Sequence, residues 1–191
     1  WGSAAPFSIG WWAVVGDDFR TVGARNLPRG ALIRYREWYV AGEGSNQGLK
    51  LTAEELAEGI VSRETDEPKD LEGKTAMAYA VMDPAAFAEN GGPSIAERIN
   101  RTLIRNDTIS FRPADNKRIS QRGAMGGWDE LRARLVGEDG RPMMYFFSTC
   151  LAAIKYLPAV QHDPDRPEDV LKAPNDHAPD GEAVVAFNSP R

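Results

Sequence analysis

The chain has 191 residues, of which 42% are hydrophobic and 27% are charged, and these proportions are ordinary for a globular protein. Its length suits a single domain, and no apolar run reaches the length of a membrane span or resembles a signal peptide. A formal net charge of -5 does not indicate nucleic-acid binding, but it does not exclude a nuclease whose metals neutralise gathered carboxylates. The single cysteine, Cys150, cannot form an internal disulfide, which is compatible with a reducing compartment.

The first third of the chain predicts two antiparallel strands and then a helix. Residues 7–15 and 31–40 are rich in aromatic and β-branched side chains and are separated by a connection that contains proline and glycine. Thr52 and Glu55 have the spacing of a capping box, in which a hydroxyl and a carboxylate bond the first N–H groups of a helix. We therefore predict a helix over residues 52–64.

A short apolar run leads to the first carboxylate of interest. Residues 75–82 carry no charge, which favours a strand buried on both faces, and Asp83 and Pro84 follow directly. A buried Asp needs a cation or hydrogen-bond donors, so one interpretation places Asp83 at the carboxyl end of a strand, facing a crevice. The other interpretation makes Asp83 the first residue of a proline-initiated turn. The residues leave both interpretations open.

The rest of the chain predicts alternating helices and strands. Ser94 and Glu97 have capping-box spacing at the start of a helix over residues 94–106. The remaining expected elements are a strand at 109–112, a helix at 128–136 marked by Trp128, Leu131 and Leu135, a strand at 143–147 and a helix at 151–157. A strand reached through a crossover helix pairs in parallel. The predicted fold class is therefore α/β with a mixed sheet, in which 75–82 is an interior strand.

Residue types that bind metals recur near the carboxyl end. Asp176, His177 and Asp180 fall within five residues, and on a helix His177 and Asp180 share one face, from which they can bind one metal or each other. The alternative is a solvated acidic loop, and His162 with Asp163 upstream is interpreted as turn chemistry. Carboxylates accompanied by one histidine favour hard cations such as Mg²⁺ or Mn²⁺ over zinc.

Other sequence signals are weaker. The chain has no Gly-x-x-x-x-Gly-Lys-[Ser/Thr], no Gly-x-Gly-x-x-Gly, no Gly-x-Ser-x-Gly and no cysteine pair for zinc. Cys150 follows an apolar run, which favours a buried structural thiol over a nucleophile. Lys117, Arg118 and Arg122 cluster and are candidates for DNA phosphate contact, the alternative being a solvated basic face.

An ordered set of motifs extends along nearly the whole chain. Its members are an opening Trp-Gly followed by Pro-Phe and an apolar strand (1–14), Arg-Glu-Trp-Tyr (36–39), a helix entry (48–55), Asp-Pro followed by Gly-Gly-Pro-Ser-Ile (83–95), and a closing series of His-Asp-Pro, Pro-Glu-Asp-Val and Asp-His-Ala-x-Asp (162–180). This set resembles the nuclease domain of tailed-bacteriophage terminase large subunits. In that family an Asp directly precedes the Trp-Gly pair and is the first catalytic acid.

The resemblance implies a ribonuclease-H-like mixed β-sheet flanked by helices. It also implies an endonuclease that cuts concatemeric viral DNA during genome packaging with two Mg²⁺ or Mn²⁺ ions. Asp83 and Asp180 match the second and third acids, Asp176 is a further expected metal ligand, and His177 is a ligand or an orienting residue. Residues 1–191 are then expected to be one nuclease domain, with the first catalytic strand and an N-terminal ATPase domain outside this chain.

The same resemblance sets the expected partners and the alternatives. The partners are double-stranded DNA, the terminase ATPase domain of the same polypeptide, the small terminase subunit and the portal protein, with no membrane, in the host cytoplasm and transiently at the procapsid portal. An alternative is a non-catalytic module of the packaging motor that guides DNA or docks on the portal. A third hypothesis is another ribonuclease-H-like enzyme such as a resolvase or transposase core. The closing signature argues against this hypothesis, because it does not match those families.

Overall fold

The computed structural model describes residues 7–16, 21–22, 25–40, 50–65, 77–89, 91–121, 123, 125–137, 140–171 and 179–180. The chain divides into two compact units. We call the described part of Gly48–Asp115 the helical unit. The described parts of Pro6–Gln47 and Asn116–Arg191 together are called the sheet unit.

The regular elements follow the predicted order of strands and helices. They are β1 (Phe7–Val14), β2 (Thr21–Val22), β3 (Arg25–Asn26), β4 (Leu32–Val40), α1 (Ala53–Glu64), β5 (Ala80–Met82), α2 (Ile95–Arg105), β6 (Phe111–Pro113), α3 (Gly127–Val136), β7 (Met144–Phe146) and α4 (Leu151–Tyr156), with 3-10 turns at Pro84–Phe87 and Leu157–Ala159. The short β2–β3 pair was not predicted, and the α/β class is confirmed. Among the helices of the described ranges, none has both the length and the apolar character that crossing a membrane requires.

The sheet unit is built on a three-stranded mixed sheet in the order β1-β4-β7. Its middle strand, β4, pairs antiparallel with β1 and parallel with β7. Because side chains alternate along a strand, Leu32 and Ile33 of β4 face opposite sides, and they belong to two different buried clusters. The cluster around Leu32 is completed by Trp128 and Leu131 of α3, Met144 and Val170. The strand that is buried on both faces is therefore the start of β4.

A buried ion pair on β4 ties α4 to the sheet. Arg34 is only 1% exposed, and its Nη2 atom lies 3.3 Å from Glu37 Oε2 and donates to Ser8 Oγ at 3.0 Å. Glu37 in turn accepts hydrogen bonds from the backbone N–H groups of Ala152 (2.7 Å) and Ala153 (3.0 Å). Burial lowers the pKa of the Arg34 guanidinium, and the nearby Glu37 carboxylate opposes that shift. One carboxylate thus balances a buried cation and satisfies N–H groups that a helix start leaves without partners.

The helical unit begins both of its helices at the predicted capping residues. Thr52 and Glu55 form a complete capping box at α1. At α2, Ser94 Oγ accepts from the Glu97 N–H at 3.1 Å, but the Glu97 carboxylate accepts from Arg101 at 2.6 Å. The second predicted capping box is therefore only half formed, because an arginine one turn later offers this carboxylate a charged donor.

The strand that precedes Asp83 is shorter and less buried than predicted. The structure assigns only Ala80–Met82 to β5, and all three residues are half-buried. Within the described residues β5 pairs with β6 alone, in parallel and through the crossover helix α2, as the predicted pairing rule requires. The expected interior strand, buried on both faces, is wrong for these residues. An uncharged run indicates a strand but does not reveal how many of its faces are covered.

Helix α3 differs from its predicted inner stripe at one position. Leu135, which helical spacing places beside Leu131, is 38% exposed, whereas Glu130 and Arg134 are 6% and 4% exposed. These two form a buried ion pair with 2.9 Å between Arg134 Nε and Glu130 Oε1, and Arg134 also donates to the Gly30 carbonyl at 3.3 Å. The ion pair of Glu130 and Arg134 is therefore buried on α3, whereas Leu135, which the hydrophobicity pattern predicts to be buried, is partly exposed.

Candidate functional site

Asp83 lies directly after β5, in the helical unit, and its side chain is exposed. It is the N-cap of the 3-10 turn Pro84–Phe87, and its Oδ1 atom accepts the Ala85 N–H at 2.7 Å. The turn interpretation of Asp83 is therefore confirmed. The same hydrogen bond holds the carboxylate in one rotamer, so a fixed carboxylate stands at the carboxyl end of a strand, and its predicted catalytic role stays a prediction.

Asp180 lies in the sheet unit and is held by a contact distant in sequence. Arg118 Nη1 donates to Asp180 Oδ1 at 2.9 Å, and Arg118 Nε donates to Asp169 Oδ1 at 3.2 Å. The guanidinium also lies over the Trp128 ring, 5.6 Å from its centroid. We call Arg118, Asp169, Asp180 and Trp128 the Arg118 cluster. Asp180 follows Pro179, which is fully buried, so its backbone is anchored as well.

In the Arg118 cluster, one guanidinium pairs with two carboxylates. Burial alone raises the pKa of Asp169, but hydrogen bonds from the Val170 N–H and from Arg118, together with the nearby charges of Arg118 and Arg166, outweigh it, so the pKa lies below its ordinary value. Asp169 is therefore ionised at neutral pH. Asp169 lies in the closing motif but was not predicted as a site residue, because its partner Arg118 is 51 positions away and no local motif links the two.

The three predicted phosphate contacts have different outcomes. Lys117 is exposed, and its backbone carbonyl accepts the N–H of Gly127, the first residue of α3, at 2.7 Å. Arg118 is engaged with the two carboxylates described above. Arg122 lies outside the described residues, as do Asp176 and His177. The DNA-contact role of each stays a prediction.

The predicted metal site is assembled only in part by the described residues. Asp83 belongs to the helical unit and Asp180 to the sheet unit, so their predicted convergence stays a prediction. Among the residues described, no group of three or more His, Cys, Asp or Glu side chains is placed to hold a metal. The donor chemistry of the candidate residues nevertheless fits Mg²⁺ or Mn²⁺, because their carboxylates are hard oxygen ligands. The Arg118 guanidinium also shows that a cation is accommodated at the Asp180 carboxylate.

Two other predicted residues have structural roles. Cys150 is fully buried and its Sγ atom donates to the Arg34 carbonyl at 3.4 Å, and burial raises the pKa of this thiol. A buried thiol with a raised pKa is a poor nucleophile, so the structural interpretation is confirmed. Asp163 Oδ1 accepts the Asp165 N–H at 2.8 Å, which makes Asp163 the turn residue that was predicted.

No protein-family model matches this chain, and no curated protein matches it. Solved structures do match. The chain is similar to the large terminase of a thermophilic bacteriophage in complex with ADP, with 19% identity and a TM-score of 0.62 over 97% of this chain and 37% of the terminase. The same terminase in complex with ATP-gamma-S gives 19% identity and a TM-score of 0.61 over 98% and 38%. This chain therefore has the fold of part of a large terminase and spans a little over a third of the length of that protein.

Proposed function

We propose that this chain is the nuclease part of a phage terminase large subunit, with a ribonuclease-H-like arrangement of its strands. In this proposal it is an endonuclease that cuts concatemeric viral DNA during genome packaging. The observation that carries the proposal is the fold shared with a large terminase over 97% of the chain. The ordered motifs support the proposal independently, because they are a property of the sequence alone. The absence of a phosphate-binding loop from the sequence favours the nuclease part over the ATPase part.

The candidate residues divide the chemistry among them. Asp83, Asp176 and Asp180 would hold two Mg²⁺ or Mn²⁺ ions, and His177 would bind or orient. When bound, a pair of metals about 4 Å apart activates a water and stabilises the leaving oxygen of an in-line displacement. The Ala85 N–H fixes the rotamer of Asp83 before any metal arrives, which reduces the entropy lost on binding.

The basic residues and the partners belong to the same proposal. Lys117, Arg118 and Arg122 would contact the phosphates of double-stranded DNA, which positions the duplex without reading its sequence. The ATPase domain of the same polypeptide, the small terminase subunit and the portal protein would supply the packaging context, in the host cytoplasm. These partners follow from the family that the fold and motifs indicate.

Plasmid nicking with Mn²⁺ or Mg²⁺ tests the proposal. The assay uses the chain together with any upstream residues that its gene encodes, because the family's first acid precedes the Trp-Gly pair. Loss of a residue that only orients a metal ligand costs up to about 100-fold in activity. Asp83→Asn and Asp180→Asn each remove a proposed ligand, so each is expected to reduce nicking by more than about 100-fold. His177→Ala is expected to cost about 10–100-fold.

Asp165→Asn is the matched control, because it removes an exposed carboxylate of the sheet unit that has no role in the proposed site. Wild-type nicking by Asp83→Asn would contradict the proposal and leave Asp83 as a turn residue only. An experimental structure gives a second test. For one two-metal centre, the Asp83 and Asp180 carboxylates must lie within roughly 8 Å, and a separation above about 15 Å cannot be bridged.

A non-catalytic DNA-guiding or portal-docking module is the second candidate. The observation that favours it is the pairing of Asp180 with Arg118, since this carboxylate already has a cation. Such a module would bind duplex DNA with a salt-dependent affinity. Its wild-type form would bind Mn²⁺ no more tightly than its Asp180→Asn variant. Calorimetric titration of wild type and Asp180→Asn with Mn²⁺ separates the two candidates.

A further inference from the structure

The Arg118 guanidinium has an observed role and a proposed role that exclude each other. It is engaged with Asp169 and Asp180 through Nε and Nη1 and covers the Trp128 ring. Its remaining nitrogen, Nη2, is buried, so a DNA phosphate can reach that atom only if the guanidinium moves. If Arg118 contacts phosphate, it must leave Asp180.

The observed pairing leaves donors unused. Nη2 of Arg118 and Nε1 of Trp128 are both buried, and neither has a hydrogen-bond partner in the part of the chain that the structure describes. A buried donor without an acceptor is destabilising, and each Arg118 contact to a carboxylate joins a single pair of atoms rather than the bidentate fork that arginine forms most strongly. A phosphate, with several acceptor oxygens, would satisfy the arginine more completely.

The charge of the Arg118 cluster points to what replaces the guanidinium. The Arg118 guanidinium pairs with both the Asp169 and the Asp180 carboxylate, and the charge of Arg166 also acts on Asp169. Removal of Arg118 takes away the cation that both carboxylates share. A divalent cation would neutralise both, and carboxylate oxygens are ligands that Mg²⁺ and Mn²⁺ accept.

We propose that Arg118 is a positioning residue that exchanges Asp180 for a DNA phosphate, and that a divalent cation replaces the guanidinium at Asp180. This inference rests on the proposed function. DNA binding and metal binding are then coupled through one side chain, because each favours the position of Arg118 that the other requires. By linkage the coupling is reciprocal, so DNA tightens metal binding by the factor by which metal tightens DNA binding.

Calorimetric titration with Mn²⁺ in the absence of DNA tests the competition. Arg118→Gln is expected to bind Mn²⁺ about tenfold more tightly than wild type, since a positive charge next to the metal position is removed. Arg118→Lys keeps the charge on a side chain that cannot make both contacts, so its affinity is expected between the two. Arg101→Gln, which removes an exposed paired arginine of the helical unit, is the control and should match wild type.

The second measurement repeats the Mn²⁺ titration with a short duplex made resistant to hydrolysis by phosphorothioate linkages. In wild type the duplex is expected to tighten Mn²⁺ binding by about 5–10-fold, within the usual range of coupling between sites. In Arg118→Gln this coupling is expected to disappear while both ligands still bind. A purely structural role for Arg118 would not remove coupling from a protein that still binds each ligand.

The outcomes separate this inference from the proposed function. If Asp180→Asn lowers Mn²⁺ affinity but Arg118→Gln leaves it unchanged or weaker, the exchange is overturned and the proposed function stands. If Asp180→Asn leaves Mn²⁺ affinity unchanged, the proposed metal site itself fails. Thermal melting checks that each variant folds. Should Arg118→Gln not fold, equal Mn²⁺ affinity of Arg118→Lys and wild type would overturn the exchange.

Discussion

The two candidate carboxylates are held in place by different kinds of contact in the two units. In the helical unit, Asp83 bonds the backbone of a residue two positions later. In the sheet unit, Asp180 bonds the side chain of Arg118, 62 positions earlier in the chain. The first contact forms wherever the local turn forms. The second exists only after the sheet unit has folded, so these two carboxylates have different sensitivities to mutation.

The ion pairs of the two units differ in their exposure to water. In the helical unit Glu54 pairs with Arg98 at 2.7 Å, and the two side chains are 47% and 41% exposed. In the sheet unit the Arg34 and Glu37 side chains are 2% and 6% exposed. Exposed pairs contribute little to stability because water screens them, whereas the loss of one member of a buried pair leaves an uncompensated charge. The stability of the sheet unit therefore depends on particular charges far more than that of the helical unit.

The largest expected effect comes from breaking the buried pair. Arg34→Met leaves Glu37 buried without its cation and should lower the free energy of unfolding by about 3–5 kcal/mol. The matched change in the helical unit, Arg101→Met, removes an exposed partner of Glu97 and should cost no more than about 0.5 kcal/mol. Urea denaturation of both variants measures the difference, and similar losses would contradict the contrast between the units.

A glycine in each unit gives the next effect, with opposite signs. A Cβ added at Gly126 would lie 2.6 Å from both the Cα and the carbonyl oxygen of Ile119, so Gly126→Ala should destabilise by about 1–3 kcal/mol. A Cβ at Gly92 meets nothing within 4 Å, and Gly92→Ala should stabilise by about 0.4–1 kcal/mol through the unfolded chain. Thermal melting checks both, and a neutral Gly126→Ala would show that the loop before α3 yields easily.

The two candidate carboxylates themselves give a smaller and more pointed contrast. Asp83→Asn should leave the melting temperature unchanged, because asparagine caps a turn as well as aspartate does. Asp180→Asn should cost about 0.2–1 kcal/mol, because it removes the charge that pairs with a partly exposed Arg118. Differential scanning calorimetry in a metal-free buffer measures both. A loss at Asp83→Asn that exceeds the loss at Asp180→Asn would reverse the assignment of local and distant contacts.

The smallest effect concerns acid pH. A hydrogen bond from Arg98 lowers the pKa of Glu54, and hydrogen bonds from Thr52 lower the pKa of Glu55. Groups with a lowered folded-state pKa stabilise fully above their unfolded pKa, about 4.3 for Glu, and this contribution is lost as the pH falls through the folded-state value. Hydrogen exchange of the α1 amides should therefore accelerate below about pH 4.3, relative to the pH dependence of exchange in unfolded peptides. The double variant Glu54→Gln, Glu55→Gln should lack this acceleration at acid pH. If the double variant keeps the pH dependence of the wild type, Glu54 and Glu55 are not its cause.

The features that the sequence predicted well depend on short separations along the chain. The caps at Thr52 and Ser94 and the turn at Asp83 each involve residues two or three positions apart, and all three are present. Strand β4 was predicted within one residue at its start, because its aromatic and β-branched residues and the turn residues before it are local signals.

The features that the sequence did not predict depend on distant partners. Nothing near Glu37 indicates that it will accept from Ala152, which is 115 positions away, and nothing near Arg118 indicates Asp169. Both contacts are set by how the strands and helices pack, so they become visible only with coordinates. The predicted burial of β5 failed for the same reason, since burial is a property of what packs on a strand.

The buried thiol of Cys150 gives the sheet unit a natural reporter of its own opening. Its sulfur bonds the carbonyl of Arg34 at the place where β4 meets the start of α4, and the raised pKa keeps it as the unreactive thiol. Disulfide reagents can therefore label it only in molecules whose packing has transiently opened. Because the chain has one cysteine, the rate of labelling follows local opening at this junction without an engineered probe. Comparing the labelling rate of Cys150 with and without DNA would show whether DNA binding reduces the opening of the sheet unit.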